Sequence, residues 1–165
     1  MAENKEVKTY NPYDRVPVKN TVAWDVHFDS KTNPKGEFLA GKEECIRLTY
    51  DEVFNQVALG NTGFVGTDGF GNHAVFQLKD LDQYNAIFRT NKTRLPEYFD
   101  DAIYKKLVSL RDEAKIKKML EEKVITKSDK RMLAYKISTD RESFNDAPNW
   151  MIWAIESYTE SKISQ

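Results

Sequence analysis

The segment from Thr49 to Asp80 constrains the fold most, because it contains a helix start, a glycine-rich turn and an alternating apolar stretch. Its first residues, Thr49-Tyr50-Asp51-Glu52, form a capping-box pattern, in which the threonine hydroxyl accepts from the third helical N–H and the glutamate reaches back to the cap. We expect a helix of about ten residues here, since Gly60 provides the left-handed residue that commonly ends a helix. Such a short helix needs packing on a sheet to be stable.

The rest of this segment predicts two strands joined by a hairpin-type turn. Phe64 and Val65 favour a brief strand, and the turn follows at residues 67–72, where glycines supply positive backbone dihedrals. Residues 73–79 then return as a second strand, with Ala74, Phe76 and Leu78 on one face.

The clearest strand pattern lies upstream, between residues 22 and 28. One face of this strand would carry Val22, Trp24, Val26 and Phe28, and the other face Ala23, Asp25 and His27. A turn at residues 33–36 leads into a second strand region from Phe38 to Leu48, which we expect to be interrupted at Gly41.

From residue 95 onward the pattern becomes helical. Pro96 is placed as in the first turn of a helix, and apolar residues then recur from Ile103 at steps of four and three. We expect a bend or break near residues 111–112, a weaker capping box at residues 126–129, and a last helix that opens at Pro148.

These patterns predict an α+β protein with a small β-rich N-terminal half, either barrel-like or sheet-like, that contains one short helix. A helical C-terminal half follows. We expect an extended arm at residues 1–14, a β-rich domain at 15–92, and a helical domain or extension at 95–165.

Composition excludes several classes of function. The formal net charge of -1 over 165 residues gives no overall attraction to nucleic acid or to an anionic membrane. Cys45 is the only cysteine, so an intramolecular disulfide is impossible, and we expect it to be a small buried residue on a strand. No apolar run approaches the roughly 20 residues of a membrane span, and the N-terminus lacks the apolar core of a secretory signal peptide.

No arrangement of residues in the sequence indicates catalysis or metal binding. His27 and His73 lack the spacing that would bring three ligands to one ion. The glycines between Gly63 and Gly71 precede a strand rather than a helix, so they do not predict a phosphate loop. We therefore predict a protein that is not an enzyme, with no catalytic residues, no cofactor and no small-molecule substrate.

The helical half contains a basic segment. Residues 105–136 hold eleven basic and five acidic residues. One interpretation is contact with nucleic acid phosphates; the other, which we favour, is a solvated helix face with local ion pairs. The residues that would contact phosphates are Lys105, Lys106, Arg111, Lys115, Lys118, Lys130 and Arg131.

The last helix is apolar on more than one side. This helix is therefore either buried at the centre of the helical half, or part of its apolar surface is exposed and contacts a partner chain. An N-terminal arm too polar to fold alone also suggests docking onto another surface. The residues that we predict at a protein interface are Tyr10, Tyr13, Trp150, Trp153 and Tyr158.

Residues 18–80 resemble known proteins in three stretches, which are VAWD at residues 22–25, RLT at 47–49 and NTGFVGTDG at 61–69. Together with Phe28, His73 and Ala74, they resemble small proteins encoded by tailed bacteriophages of low-GC bacteria. That family has no assigned activity, so no functional residue carries over. The resemblance implies a viral protein located in the virion or the host cytoplasm.

These observations lead us to expect a non-enzymatic phage protein that acts through protein–protein contacts. The role that we favour is a structural or accessory component of the virion, with virion neighbours or further copies of itself as partners. The alternatives are a nucleic-acid-binding accessory protein that uses residues 105–136, and an inhibitor of a host enzyme or defence complex. We expect no contact with membranes.

Overall fold

The computed structural model describes residues 9–163. The chain divides into two compact units, the first comprising residues 9–20 and 24–96 and the second residues 21–23 and 97–163. The first unit contains antiparallel sheets and the second is helical, which confirms the predicted α+β class.

The first unit contains two antiparallel sheets. Its strands are β1 (Arg15–Asn20), β2 (Val26–Asp29), β3 (Glu37–Ala40), β4 (Cys45–Thr49) and β5 (Phe76–Leu78). One sheet has the order β4-β1-β5, and the other pairs β2 with β3. In the central strand β1, Val18 lies opposite Ile46 on one side and Leu78 on the other.

Three aromatic rings from different elements form the centre of this unit. The ring of Phe28 lies 5.3 Å from that of Phe64 and 4.9 Å from that of Phe76, and Phe64 and Phe76 are also 4.9 Å apart. Edge-to-face and offset arrangements at these separations are favourable beyond the burial of area alone. The cluster connects the two sheets with the short helix that carries Phe64.

Three helices accompany these sheets: α1 (Tyr50–Ala58), α2 (Thr62–Val65) and α3 (Leu81–Phe88). The predicted start of α1 is confirmed, because the Thr49 hydroxyl accepts from the Glu52 N–H at 3.2 Å. Gly60 has a φ of 72°, as expected after the helix end. The second half of the predicted capping box is wrong, however, because the Glu52 carboxylate turns into the protein interior.

The buried Glu52 carboxylate anchors the turn between β2 and β3. Its side chain is only 1% exposed, and the two oxygens accept hydrogen bonds from several donors. Oε1 accepts from Lys31 N at 2.7 Å and Gln56 Nε2 at 2.8 Å, and Oε2 accepts from Ser30 Oγ at 2.7 Å, Thr32 N at 3.1 Å and the Thr32 hydroxyl. Burial by itself raises the pKa of Glu52, but these hydrogen bonds outweigh it and hold the pKa below its usual value.

Other local predictions for the first unit are wrong. Phe64 and Val65 lie in helix α2 rather than in a strand, because the Asn61 side chain accepts from Gly63 N at 3.0 Å and caps a helical turn. Cys45 lies on β4 as a strand residue but is exposed, not buried. Helix α3, which the sequence analysis missed, begins where Asp80 accepts from Gln83 N at 2.9 Å.

The predicted long strand at residues 22–28 is also only partly correct. Strand β2 starts at Val26, and residues 21–23 belong to the second unit, where Ala23 N lies 3.1 Å from the Met132 sulfur. The buried Asn20 side chain stabilises this departure from the sheet. Its amide donates to the carbonyls of Trp24 at 2.9 Å and Gly41 at 2.9 Å, which gives both backbone groups a hydrogen-bond donor.

The second unit is built from helices. In chain order they are α4 (Asp101–Ser109), α5 (Glu113–Lys123), α6 (Lys127–Thr139), α7 (Arg141–Phe144) and α8 (Asn149–Thr159). Helix α4 begins with Asp100 as its cap, so the helix start predicted at Pro96 is wrong. The break at residues 111–112 and the capping box at Thr126 and Asp129 are confirmed.

Helices α5 and α6 both pack on α8. The interior of the unit is apolar, with fully buried Leu107, Ile116, Leu120, Leu133, Met151 and Ile155. Between residues 9 and 163, no helix has the length and apolar character needed to cross a membrane.

A first prediction concerns Gly66, whose φ is 65° and where an added Cβ would lie 2.1 Å from the Asn72 carbonyl oxygen. We expect Gly66→Ala to cost about 1–3 kcal/mol for the backbone conformation alone, plus the cost of displacing Asn72. Gly69→Ala is the matched control, since Gly69 has a φ of 79° but open space around it. Urea unfolding of both variants should show the larger loss at Gly66, and equal losses would contradict the steric explanation.

A second prediction concerns Glu52, whose pKa is lower in the folded protein than its ordinary value of 4.5. Its contribution to stability is therefore complete above pH 4.5 and is lost as the pH falls through the lower folded-state pKa. We expect Glu52→Gln to lose about 2–3 kcal/mol at neutral pH, because an amide offers one acceptor oxygen to donors that now occupy two.

Urea unfolding at neutral pH and again in acid tests this prediction. The stability difference between wild type and Glu52→Gln should shrink in acid, where Glu52 itself becomes protonated. Glu43→Gln, at an exposed turn position, is the control and should change stability little at either pH. A Glu52→Gln deficit that is the same at both pH values would show that the buried charge is not responsible.

Candidate functional site

The candidate site is a groove on the second unit between α5 and α8. The two helices run parallel, since Arg111 Nη1 lies 3.7 Å from the Met151 sulfur at one end and the Tyr158 hydroxyl donates to the Val124 carbonyl at 2.7 Å at the other. The groove has a volume of about 550 Å³. It is lined by Glu113, Lys117, Leu120, Glu121, Trp150, Trp153, Ala154, Ser157 and Tyr158.

A second, more open depression of about 660 Å³ adjoins this groove at the N-terminal ends of α5 and α8. Arg111, Asp112 and Ala114 line it, and it shares Glu113, Lys117 and Trp150 with the groove. The Arg111 guanidinium is held in place here, because its Nη1 donates to the Val108 carbonyl at 2.6 Å and the Leu110 carbonyl at 2.9 Å.

Helix α8 has two different apolar faces. Met151 and Ile155, four residues apart, are fully buried on one face of the helix. Trp153 lies on a different side of the helix and is 65% exposed, which is unusual for so large an apolar side chain. Three of the five predicted interface residues, Trp150, Trp153 and Tyr158, therefore lie together along one groove.

Tyr158 forms a fixed part of the groove wall. Besides its hydrogen bond to Val124, its ring lies 4.8 Å from the Lys130 ammonium, which is a cation–π contact. Burial raises the pKa of Tyr158, and the nearby carboxylates of Glu121 and Asp129 raise it further. The hydroxyl therefore stays protonated and continues to donate to the backbone.

The α5 wall of the groove has alternating charge. Glu113, Lys117 and Glu121 are spaced four residues apart, so they lie along one side of the helix. The Lys117 ammonium is 3.0 Å from Glu113 Oε1, and both side chains are mostly exposed. Local ion pairs on a solvated helix face are the interpretation favoured for this segment, and the Lys117–Glu113 pair is one of them, but this spacing alone does not indicate that α5 borders a groove.

The predicted nucleic-acid residues are spread over three helices and one connection. Lys105 and Lys106 lie on α4, Lys115 and Lys118 on α5, Lys130 and Arg131 on α6, and Arg111 between α4 and α5. All except Lys130 are exposed. Lys118 lies 3.9 Å from Glu122, and other basic residues of the segment form ion pairs as well: Lys123 with Glu97 at 2.7 Å and Lys136 with Asp101.

The two predicted arm residues differ in environment. Tyr10 stacks on Tyr50, with ring centroids 5.1 Å apart, so it packs against its own unit. Tyr13 is 82% exposed and lies in a turn that is closed by a hydrogen bond from Asp14 N to the Asn11 carbonyl at 2.9 Å. Residues 1–8 of the predicted arm lie outside the described residues.

The histidines lie in different parts of the first unit. His27 Nδ1 is 2.9 Å from Glu37 Oε1 across the β2–β3 pair, and both side chains are exposed. His73 is buried and has a φ of 55°. Within the described range, no group of three His, Cys, Asp or Glu residues could hold a metal ion.

No protein-family model, curated protein or solved structure matches this chain. The groove between α5 and α8 is where the structure gathers most of the predicted interface residues.

The two faces of α8 lead to a third prediction. Ile155→Ala should cost about 2–5 kcal/mol, because it leaves a cavity at a fully buried position. Trp153→Ala should cost less than about 1 kcal/mol, since most of that side chain already contacts solvent. Urea unfolding followed by circular dichroism measures both losses, and a loss at Trp153 as large as that at Ile155 would contradict this orientation of α8.

Proposed function

We propose that this chain is not an enzyme and acts by protein–protein contact through the groove between α5 and α8. The observation that carries the proposal is the exposed Trp153 beside a groove lined by Trp150 and Tyr158. Tryptophan and tyrosine are enriched among the residues that dominate binding energy at protein interfaces. Their position on a helix, rather than on a loop, means that little backbone conformational freedom is lost on binding.

The composition of the groove also supports a protein partner. Leu120, Ala154 and the aromatic rings provide an apolar floor, and Glu113, Lys117 and Glu121 provide a polar rim. An apolar centre with a polar rim is the usual organisation of a protein interface.

Within this proposal, the role that we favour is a structural or accessory component of a phage particle. Its support is the resemblance of residues 18–80 to small phage proteins. An inhibitor of a host enzyme or defence complex would use the same groove. Mass spectrometry of purified particles separates the two roles, because a virion component is present in the particle and a host-directed inhibitor is recovered with its host target.

A nucleic-acid-binding role for residues 105–136 is the second candidate, favoured by the exposure of six of its seven predicted contact residues. Such binding would weaken steeply as salt increases. A gel shift at low salt tests it, and the absence of a complex there would exclude it. We favour protein contact, because the ion pairs of Lys118, Lys123 and Lys136 already use part of this positive charge within the chain.

The fourth prediction tests the proposed function directly. Trp153→Ser should abolish incorporation into phage particles, or capture of the chain's protein partner, because it removes the main exposed aromatic contact. Leu59→Ser is the matched control, since Leu59 is an exposed hydrophobic residue of the first unit and does not line the groove. Quantitative mass spectrometry of purified particles and pull-downs gives the readout, and equal recovery of both variants with wild type would exclude the groove as the contact surface.

A further inference from the structure

We propose that the occupant of the groove between α5 and α8 is a second copy of this chain, so that the protein forms a symmetric dimer. The inference rests on the proposed function, because it identifies the partner of the same surface. Two observations support a second copy as the occupant. The groove and an exposed aromatic residue lie on one face, and the charges along α5 attract each other when two copies of the helix pack antiparallel.

The first observation concerns shape. A twofold interface uses the same patch on both copies, so this patch must contain both a protruding group and the place that receives it. Trp153 protrudes from α8 with 65% of its surface exposed, and it borders the groove that Leu120 and Tyr158 also line. Each copy therefore offers one aromatic side chain and one groove to the other.

The second observation concerns charge. A twofold axis that crosses α5 and α8 midway between Lys117 and Glu121 runs each helix antiparallel to its copy. Lys117 then lies opposite the partner's Glu121, and the reverse pair forms by symmetry. Opposite charges therefore meet twice, at positions one helical turn apart on the same side of α5.

The same axis brings the aromatic residues together. The Tyr158 hydroxyl reaches the Val124 carbonyl, and α5 and α8 run parallel, so the midpoint of Lys117 and Glu121, five residues before Val124, lies beside Trp153 in the middle of α8. Trp153 then lies close to the twofold axis and faces the Trp153 side chain of the other copy. Aromatic pairs of this kind stabilise an interface beyond their buried area.

The groove chemistry favours this occupant over nucleic acid. Glu113 and Glu121 would repel the phosphates of a nucleic acid. Lys117, the basic residue between them, would attract phosphates only weakly, because it already pairs with Glu113. Helices of eleven residues are about 16 Å long, so the dimer interface lies at the small end of the usual range. We therefore expect dissociation constants in the micromolar range rather than a permanent dimer.

Sedimentation equilibrium of the full chain, from low micromolar to several hundred micromolar protein, tests the proposal. Wild type should shift from monomer to dimer over this range, and Trp153→Ser should remain monomeric. Lys117→Glu and Glu121→Lys should each weaken dimerisation by about tenfold or more, because like charges would then face each other. The double variant should recover most of the wild-type affinity, since the pairs are reversed but opposite again.

Lys118→Glu is the matched control, because it makes the same charge change on α5 at a position that does not line the groove. It should leave dimerisation close to wild type. Circular dichroism of each variant confirms that the helices are retained, so a loss of dimer is not a loss of fold.

Two results would overturn the inference: a wild-type chain that stays monomeric at several hundred micromolar, or a double variant that dimerises no better than the single ones. A dimer insensitive to Trp153→Ser would likewise place the interface elsewhere. If wild type is monomeric but still enters phage particles in a Trp153-dependent manner, the dimer is excluded and the proposed function stands. If Trp153→Ser changes neither property, both proposals fail.

Discussion

The burial of Met151 and Ile155 determines how the helical unit presents its surface. Helix α8 packs on both α5 and α6, and these two side chains, four residues apart, are fully enclosed. A helix can turn only one stripe of its surface toward such an interior, so the remaining aromatic side chains must lie along its flank or face solvent. The groove with Trp150, Trp153 and Tyr158 is the direct consequence of that packing.

The sheet-containing unit depends on a different kind of interaction. Glu52 brings a negative charge into the interior, and its two oxygens are fully used by donors from the β2–β3 turn and from α1. A buried charge is tolerated when hydrogen bonds replace the water that it loses. The turn is thereby fixed to the helix, while the rings of Phe28, Phe64 and Phe76 hold the two sheets together.

Local signals in the sequence located several elements correctly. Thr49 and Thr126 both cap helices, and Gly60, Gly69 and Gly71 have the positive φ values that their turns require. The errors share a cause, which is that a short apolar run does not reveal its tertiary partner. The sequence pattern around Phe64 predicts a strand, but Asn61 caps a helical turn there. The pattern around Val22 predicts a sheet residue, but Val22 belongs to the helical unit.

The sequence by itself determined the α+β class and the helical character of the second half, because capping and periodicity are local properties. Only the tertiary structure decided that Glu52 is an interior anchor, that Tyr10 packs on Tyr50, and that α5 contributes Lys117 and Glu121 to the groove. These outcomes depend on which faces of distant segments meet. Periodicity shows that a helix has an apolar face, but the packing of α5 and α6 on α8 selects which aromatic residues stay exposed.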